Sequence, residues 1–456
     1  MEETTKELAQ FLSRVQFDDL PPEVVEQAKR CLLDFTGVTI AAAEETASQK
    51  IFDFFRKLGG FEESSVVKYA YRTSCPLAAL INGSMAHELE LDDGHIVAHA
   101  HPGVTSIPAA LAVAEKLRST GKDLLTAIVV AYEAVIRIGE AICPSTIYGR
   151  GIHAPALVGT FGGASAVGKL LRLNEAGMVH ALGNCCLTPV APFQTFKEGA
   201  MIKDLYGGWP AFVGTIAGLM AGEGFSGPTK ILEGPLGFCK NVSDDFDLKK
   251  ITENLGQEWM IMGIYFKKHA SCSLSHTTMD ATLALMESHP IIPDEIEKVV
   301  VKTHRFASDL NEKAPKTSSA AKSSIPFCVS LAIHNRRVSL EGFSEENIRD
   351  EKILTLAEKV DLRLDPELDK IHLAHENLRP SIVKVYLRDG RVFAERREVA
   401  KGWAVNPMTD GELEEKFRGL AEAPLSKKRA TCILELIKGT ENLPDVMPIV
   451  KEFSKF

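Results

Sequence analysis

The apolar positions of this chain follow a helical period over roughly its first 265 residues. In segment 24–38 they recur every three or four residues, and Pro21 and Pro22 suit the first turn of a helix. Many of the predicted helices are rich in Ala and Gly, which permit close contact between helices. The same spacing predicts further helices at 76–90, 105–118, 124–142, 155–171, 175–185 and 208–222.

The pattern changes at about residue 291. Segment 296–304 (IEKVVVKTH) alternates between apolar and polar residues, as a strand does. Segment 383–400 contains two strand-like runs joined by Asp389-Gly390, the dipeptide favoured in a type I′ turn. Segments 326–335 and 344–360 have helical character, and the chain returns to helices after residue 409.

These patterns predict a mainly α fold with two domains. A large all-helical domain takes in residues 1–266, and the C-terminal segment 403–456 rejoins it. A smaller α+β lid domain, residues 267–402, is inserted before the C-terminal helices. Because small-molecule sites prefer clefts between domains, we expect the site at the junction of these two domains.

Composition narrows the class of protein. The 456 residues carry a net charge of −9, which argues against general affinity for nucleic acid or an anionic membrane. The N-terminus, MEETTKELAQ, is polar and acidic, unlike a signal or transit peptide. The most apolar stretch is interrupted by Glu133 and Arg137, so we interpret it as a buried helix. We expect a soluble, cytoplasmic protein.

The sequence does not indicate a cysteine-bound metal site or a nucleotide-binding loop. The nine cysteines form no C-x-x-C pair, so a structural zinc site or a cysteine-ligated iron–sulfur cluster is not indicated. Segment 162–170 (GGASAVGKL) approaches a phosphate-binding loop, but Leu170 stands where Ser or Thr is needed. No strand is predicted before it, so we reject nucleotide binding there.

The densest group of candidate residues lies in segment 88–103, ELELDDGHIVAHAHPG. His95, His99 and His101 accompany four carboxylates, and imidazole beside a carboxylate suits proton transfer near neutral pH. The same residue types make metal sites and structural polar networks, and the segment alone leaves these three interpretations open. His101 stands out because the following Pro-Gly turn can orient its ring.

Other candidates lie at predicted helix starts and at the domain junction. His153 precedes a helix, where the helix dipole and free amides favour an anion; a capping or packing role is the alternative. Lys203 and Tyr206 open another apolar helix. The segment FKKHASCSLSH supplies Lys267, Lys268 and Cys272. Lysines in such Gly- and Ser-rich surroundings favour carboxylate or phosphate recognition, and for the cysteine we favour packing over a nucleophilic role.

Taken in order, these motifs resemble the MmgE/PrpD family. The resemblance runs over nearly the whole chain and implies a large helical domain, a smaller α+β lid and a homodimer. It also implies carbanion chemistry next to a carboxylate without metal or organic cofactor. The motifs are LPPEVVEQAKRCLLDFTGV, INGSMAHELELDDGH, HAHPG, GTFGGASAVGKLL, KDLYGGWPAFVGTIAGLMAGEGFSGP, FKKHASCSLSH and IPFCVSLAI.

The resemblance implies roles for individual residues. His101 and His153 match site histidines, one to remove a proton and the other to protonate the departing hydroxyl. Lys203 and Lys267 match lysines that hold carboxylates and stabilise the enolate. The predicted catalytic residues are His101, His153, Lys203 and Asp93; the predicted substrate-binding residues are Lys267, Asp92, Cys272, His95, Tyr206 and Lys268.

Some positions depart from the family pattern. Glu90 stands where Asp is common, Gly94 where Thr is frequent, Cys272 where the decarboxylase has His, and Phe327 where a site Tyr is often found. The leading interpretation is a lyase that dehydrates or hydrates a hydroxylated di- or tricarboxylic acid; decarboxylation is the family activity that the departures weaken most. The alternatives are an epimerase or racemase, a metal-dependent hydrolase built on the His-rich segment, and a non-catalytic carboxylate-binding protein.

Overall fold

The computed structural model describes residues 3–143, 145–375 and 377–454, and within them it is mainly helical, as the sequence predicts. The helices are α1 (Thr4–Arg14), α2 (Pro22–Ala42), α3 (Thr46–Phe55), α4 (Cys75–Glu88), α5 (Pro102–Leu117), α6 (Gly121–Ile142), α7 (Ser145–Tyr148), α8 (Ala154–Leu170), α9 (Glu175–Asn184), α10 (Gln194–Glu198), α11 (Leu205–Gly222), α12 (Phe238–Val242), α13 (Lys249–Thr252), α14 (His276–Ser288), α15 (Arg305–Ser308), α16 (Ser318–Lys322), α17 (Ile325–Asn335), α18 (Glu345–Ile348), α19 (Glu351–Glu358), α20 (Pro366–Ala374), α21 (Asp410–Leu425), α22 (Lys427–Lys438) and α23 (Met447–Phe453).

Strands are fewer and shorter. They are β1 (Ser64–Ser65), β2 (Arg72–Thr73), β3 (Gly94–His95), β4 (Ile264–Tyr265), β5 (Ile296–Thr303), β6 (Val360–Leu364), β7 (Ser381–Leu387) and β8 (Val392–Arg397). The chain divides into two compact units. Unit 1 comprises Met1–Glu88, Asp92–Ile264 and Thr409–Phe456, and unit 2 comprises Leu89–Leu91 and Tyr265–Met408.

Unit 1 is a helical bundle in which α11 packs against α4, α5 and α8. Small residues on α11 allow this contact. A Cβ atom added to Gly214 would lie 2.5 Å from the carbonyl oxygen of Thr160 on α8, and one added to Gly208 would overlap the carbonyl oxygen of Leu80 on α4. The Gly-rich sequence of α11 therefore fixes how closely its first turns approach the neighbouring helices.

The two charged residues of the apolar helix α6 pair with each other, which allows the helix to be buried. Glu133 and Arg137 lie one turn apart, are 0% and 2% exposed, and form an ion pair with an Nε–Oε2 distance of 2.8 Å. The guanidinium also donates to the carbonyl oxygens of Glu253 and Glu258, and the carboxylate accepts from the amide of Met260. Each buried charge is thus hydrogen bonded, as burial requires. The interpretation of this segment as a buried helix is confirmed.

Unit 2 is built on a four-stranded sheet in the order β6-β5-β7-β8. Strand β5 pairs in parallel with β6 and antiparallel with β7, and β7 pairs antiparallel with β8. Helix α14 packs on β7 and β8, while α17 contacts α14, α19 and β6. The inward side chains Val299, Val301, Val383 and Val385 are fully buried, so the alternation seen in the sequence marks the core face of the sheet.

The structure refines three local predictions. The helical character of residues 344–360 is confirmed, but the segment is divided between α18 and α19, and Val360 begins β6. The β7–β8 hairpin is confirmed, but its loop is Arg388-Asp389-Gly390 and not a two-residue type I′ turn: the Gly390 amide donates to the carbonyl oxygen of Leu387, and Gly390 has a left-handed φ of 89°. Unit 1 is mainly helical and also contains the short antiparallel pair β1–β2.

No helix in the described ranges has both the length and the apolar character needed to cross a membrane.

Candidate active site

Three helix N-termini and one helix C-terminus supply side chains of the candidate site in unit 1. His101 is the N-cap of α5, His153 is the N-cap of α8, and Lys203 lies in the single 3-10 turn that leads into α11. His87 lies in the last turn of α4, which packs against α5 and α11. Helix N-termini carry a partial positive charge and free amides, so their convergence suits an anionic ligand.

Asp92 joins two of the histidines. Its Oδ2 lies 3.1 Å from Nδ1 of His87 and 3.1 Å from Nδ1 of His101, and the residue is only 2% exposed. The His87 N–H donates a charge-assisted hydrogen bond to this buried carboxylate, and Nδ1 of His101 lies against the same oxygen as an ion-pair contact, so the carboxylate holds both rings. The ring centroids of His87 lie 5.5 Å from His101 and 5.8 Å from His153. The structure thus groups three imidazoles, two of which contact one carboxylate.

The hydrogen bonding of His101 fixes its tautomer. Nδ1 lies 2.7 Å from the backbone carbonyl oxygen of Asp93. A carbonyl oxygen only accepts hydrogen bonds, so Nδ1 carries the proton and the neutral ring has its lone pair on Nε2. A histidine oriented in this way can take a proton at Nε2 while the carboxylate of Asp92 stabilises the resulting imidazolium.

The side chain of Asp93 points away from His101 and contacts Tyr132 and Gly103. Oδ2 accepts from the Tyr132 hydroxyl at 2.6 Å, and Oδ1 accepts from the Gly103 amide at 2.9 Å. Burial raises the pKa of Asp93 to about 7, with a smaller contribution from the nearby carboxylate of Asp34. These contacts anchor the loop before α5; a catalytic role for the Asp93 carboxyl group stays a prediction.

His153 contacts Tyr206, which lines an apolar pocket. Its ring lies 5.4 Å from that of Tyr206 and contacts Phe193 edge-on at 5.8 Å, and the residue is 6% exposed. The Tyr206 hydroxyl donates to the carbonyl oxygen of Pro192 at 3.1 Å. The pocket has a volume of about 240 Å³ and is lined by Ala156, Pro189, Val190, Ala191, Ile202, Leu205, Tyr206, Trp209 and Pro210.

Lys203 is buried, at 3% exposure, in a turn that contacts α4. It lies three residues before Tyr206, which contacts His153, so the cation belongs to the same region as the histidines. A buried ammonium in such surroundings can hold a carboxylate or a developing enolate.

His95 faces a different part of unit 1. Its Nδ1 accepts from the Ala98 amide at 3.2 Å and lies 3.7 Å from Glu140, and its ring packs against Gly263. Burial lowers the pKa of His95 to about 4, so the ring is neutral at physiological pH. A substrate-binding role for His95 stays a prediction, and its contacts are those of a packed core histidine.

Unit 2 contains the remaining predicted site residues. Lys267 is 1% exposed and pairs with Glu90 at 2.9 Å, which brings the Leu89–Leu91 segment into this unit. Cys272 is half-buried, and burial together with the Glu90 charge raises the pKa of its thiol, so the thiol is protonated at neutral pH. Lys268 is exposed.

Two contributors were missed from the sequence. His87 lies five residues before Asp92 but on a helix, and only the end of α4 turns its ring back towards that carboxylate. The sequence could have indicated His87, because this residue lies in the family motif INGSMAHELELDDGH. Glu90 was noted as a departure from the family pattern, but its pairing with Lys267 joins residues 177 positions apart and left no local signal.

The described residues contain no group of three or more His, Cys, Asp and Glu side chains placed to hold a metal ion. The His-rich segment divides instead: His101 turns to Asp92, and His95 turns to Ala98 and Glu140.

Comparison with known families decides the relationship. The MmgE/PrpD N-terminal domain matches residues 6–251, and the MmgE/PrpD C-terminal domain matches residues 269–442. The chain belongs to the MmgE/PrpD family. The resemblance found in the sequence motifs is therefore confirmed.

Curated MmgE/PrpD relatives are similar over nearly the whole chain. A cis-aconitate decarboxylase of Aspergillus terreus is 27% identical, covering 98% of this chain and 95% of that protein. A cis-aconitate decarboxylase-like protein of Aspergillus oryzae is 26% identical over 98% and 96%. The human cis-aconitate decarboxylase is 24% identical over 97% and 92%.

Proposed function

We propose that this chain is a lyase that dehydrates or hydrates a hydroxylated di- or tricarboxylic acid through proton abstraction next to a carboxylate. Membership of the MmgE/PrpD family and the named relatives support an enzyme that acts on a small carboxylic acid. The observation that carries the proposal is the Asp92-linked pair of histidines beside converging helix N-termini.

The proposed dehydration balances protons. Nε2 of neutral His101 takes the proton from the carbon next to the substrate carboxylate, and the electron pair is held as an enolate. Lys203 and the helix N-termini stabilise the negative charge that develops there. The carbon–oxygen bond to the hydroxyl then breaks, and protonated His153 donates a proton, so that water leaves. Hydration runs through the same steps in reverse.

Decarboxylation is the second candidate, favoured by the names of the relatives. In that reaction, a carboxylate leaves as carbon dioxide, its bonding electron pair stays on the substrate, and a protonated histidine delivers a proton to carbon. The same residues serve both reactions, since both pass through a carbanion next to a carboxylate. The position of the leaving group relative to the base decides between them.

A substrate panel tests the proposal directly. We would follow 2-methylcitrate, citrate, cis-aconitate, malate, tartrate and iminodisuccinate by product NMR in deuterated water, with and without chelator. Formation or hydration of a double bond that survives chelator is the expected result. Carbon dioxide release would select decarboxylation, and inversion with exchange of the proton next to the carboxylate would select an epimerase. Activity that appears only with added metal, on other substrates, would contradict the proposal.

Two variants test the site. We expect His101→Ala and Lys203→Ala to lower turnover by about a hundredfold or more, the usual scale of general acid–base and electrostatic contributions. Lys57→Ala is the matched lysine control, because this side chain is exposed and has no predicted role in the site. Near-normal activity in both test variants would remove the site assignment.

A further inference from the structure

Arg379 is a cation buried inside unit 2. The residue is 3% exposed, and its amide donates to the carbonyl oxygen of Glu398 just before strand β7. The guanidinium donates from Nη1 to the Ser273 hydroxyl at 2.8 Å, and its Cζ lies 5.7 Å from the centre of the Trp403 ring. Within the described residues it forms no ion pair with a carboxylate. Its charge therefore faces a neutral hydroxyl and an indole ring.

Buried donors without acceptors surround this charge. Among the described residues, Nε of Arg379 and Nε1 of Trp403 are buried and have no hydrogen-bond partner. Both atoms can only donate, and each unsatisfied buried donor costs free energy. Both ring nitrogens of His304 also lack a partner there. Burial, His372 and Arg379 lower the pKa of His304 to about 2, so that ring is neutral and adds one N–H donor.

The chemistry of this cluster selects an anion. A water molecule could accept up to two hydrogen bonds, but it would not neutralise a buried guanidinium, which cannot lose its proton. A carboxylate supplies both the negative charge and two acceptor oxygens that match the guanidinium fork.

The chain segment that contacts the guanidinium is partly exposed. Ser273, which contacts the guanidinium, is half-buried, as are its neighbours Cys272 and Leu274. Lys267 and Arg379 both act electrostatically on the Cys272 thiol, as does Glu90, the ion-pair partner of Lys267.

We propose that Arg379, Ser273 and Trp403 form a carboxylate-binding site in unit 2 for one carboxylate of a small di- or tricarboxylic acid. The carboxylate accepts from the Arg379 fork and from the indole N–H, and Ser273 holds the guanidinium in place. The class of acid rests on the proposed function, whereas the anion site rests on the contacts of Arg379.

The test measures binding on the full chain, independently of turnover. The protein has three tryptophans, so Trp209→Phe and Trp259→Phe leave Trp403 as the fluorescent reporter beside the guanidinium. We would titrate citrate and, separately, inorganic phosphate. We expect citrate to change the Trp403 emission and Arg379→Gln to weaken citrate binding by roughly tenfold to a hundredfold, the scale of a lost charged hydrogen bond.

Matched variants separate binding from folding. Arg396→Gln is the control, because this arginine of strand β8 has a side chain 48% exposed and paired with Glu398. Ser273→Ala removes only the supporting hydroxyl and should weaken citrate binding less than Arg379→Gln does; it also provides the test if Arg379→Gln does not fold.

Each outcome decides the proposal. Equal citrate affinity in the Trp403 reporter protein and in its Arg379→Gln and Ser273→Ala variants would overturn it, as would a Trp403 response to phosphate without one to citrate. A substrate panel without turnover, combined with citrate binding that depends on Arg379, would contradict the proposed function and leave the carboxylate site standing.

Discussion

Asp92→Asn removes one charge from the centre of the histidine group and hardly changes shape. In the wild-type protein, the buried carboxylate accepts from Nδ1 of His87 at 3.1 Å and lies 3.1 Å from Nδ1 of His101, whose hydrogen bond goes to the Asp93 carbonyl oxygen. An asparagine fits the same space but cannot stabilise an imidazolium through a charge. We therefore expect the substitution to lower kcat while the fold persists.

The contacts of His101 set the size of the expected decrease in kcat. The carbonyl oxygen of Asp93, 2.7 Å from Nδ1 of His101, still holds the proton on that nitrogen, so the useful tautomer remains in Asp92→Asn. What is lost is the contact between the Asp92 charge and the His101 imidazolium, on the scale of a hydrogen bond to a charged group, about 1.5–3 kcal/mol. Converted to rate, this is roughly a 10- to 150-fold decrease in kcat. His101→Ala, which removes the base itself, should cost about 10²- to 10⁴-fold.

The assay is steady-state turnover of the substrate identified by the panel, together with exchange of the substrate proton in deuterated water. Both rates should fall in parallel, with little change in KM, because the lost interaction acts on the proton transfer. Asp18→Asn is the control, since that side chain is 91% exposed. A kcat for Asp92→Asn within about twofold of wild type, with an unchanged melting temperature, would refute the argument that Asp92 supports the base.

Three further predictions concern stability and the thiol. Gly103→Ala would place a Cβ atom 2.6 Å from Oδ1 of Asp93, so urea unfolding should show that the free energy of unfolding falls by about 1–3 kcal/mol. Gly419→Ala is the control: its Cβ position has open space around it, and the free energy of unfolding should not fall. The pKa of Asp93 is raised to about 7 in the folded protein, whereas an unfolded Asp titrates at about 4. As the pH rises from about 4 to about 7, the free energy of unfolding of the wild type should therefore fall by a few kcal/mol relative to that of Asp93→Asn. The same pH dependence of unfolding in both proteins would contradict this. Cys272→Ser should keep at least about half of the turnover, because burial holds the thiol protonated and we assign it no covalent role; near-complete loss of turnover would contradict that assignment.

Local patterns were enough to predict most elements of the fold. The helical spacing and the two prolines correctly indicated α2, and the alternation in 296–304 correctly indicated β5, because each pattern reflects burial of one face of one element. Short or mixed segments were harder: β6 is only five residues long, and its sequence alone does not reveal the parallel pairing with β5.

The sequence by itself determined the family, the mainly helical fold and the residue types available for proton transfer, since these follow from local spacing and from motifs in order. Tertiary structure decided which side chains meet. Asp92 turns to His87 and His101, whereas its neighbour Asp93 is buried against Tyr132. Arg379 reaches Ser273, 106 positions away. Adjacent residues point in different directions and distant residues come into contact, because helix packing and side-chain burial set their positions. The spacing of residues within one segment does not reveal that packing.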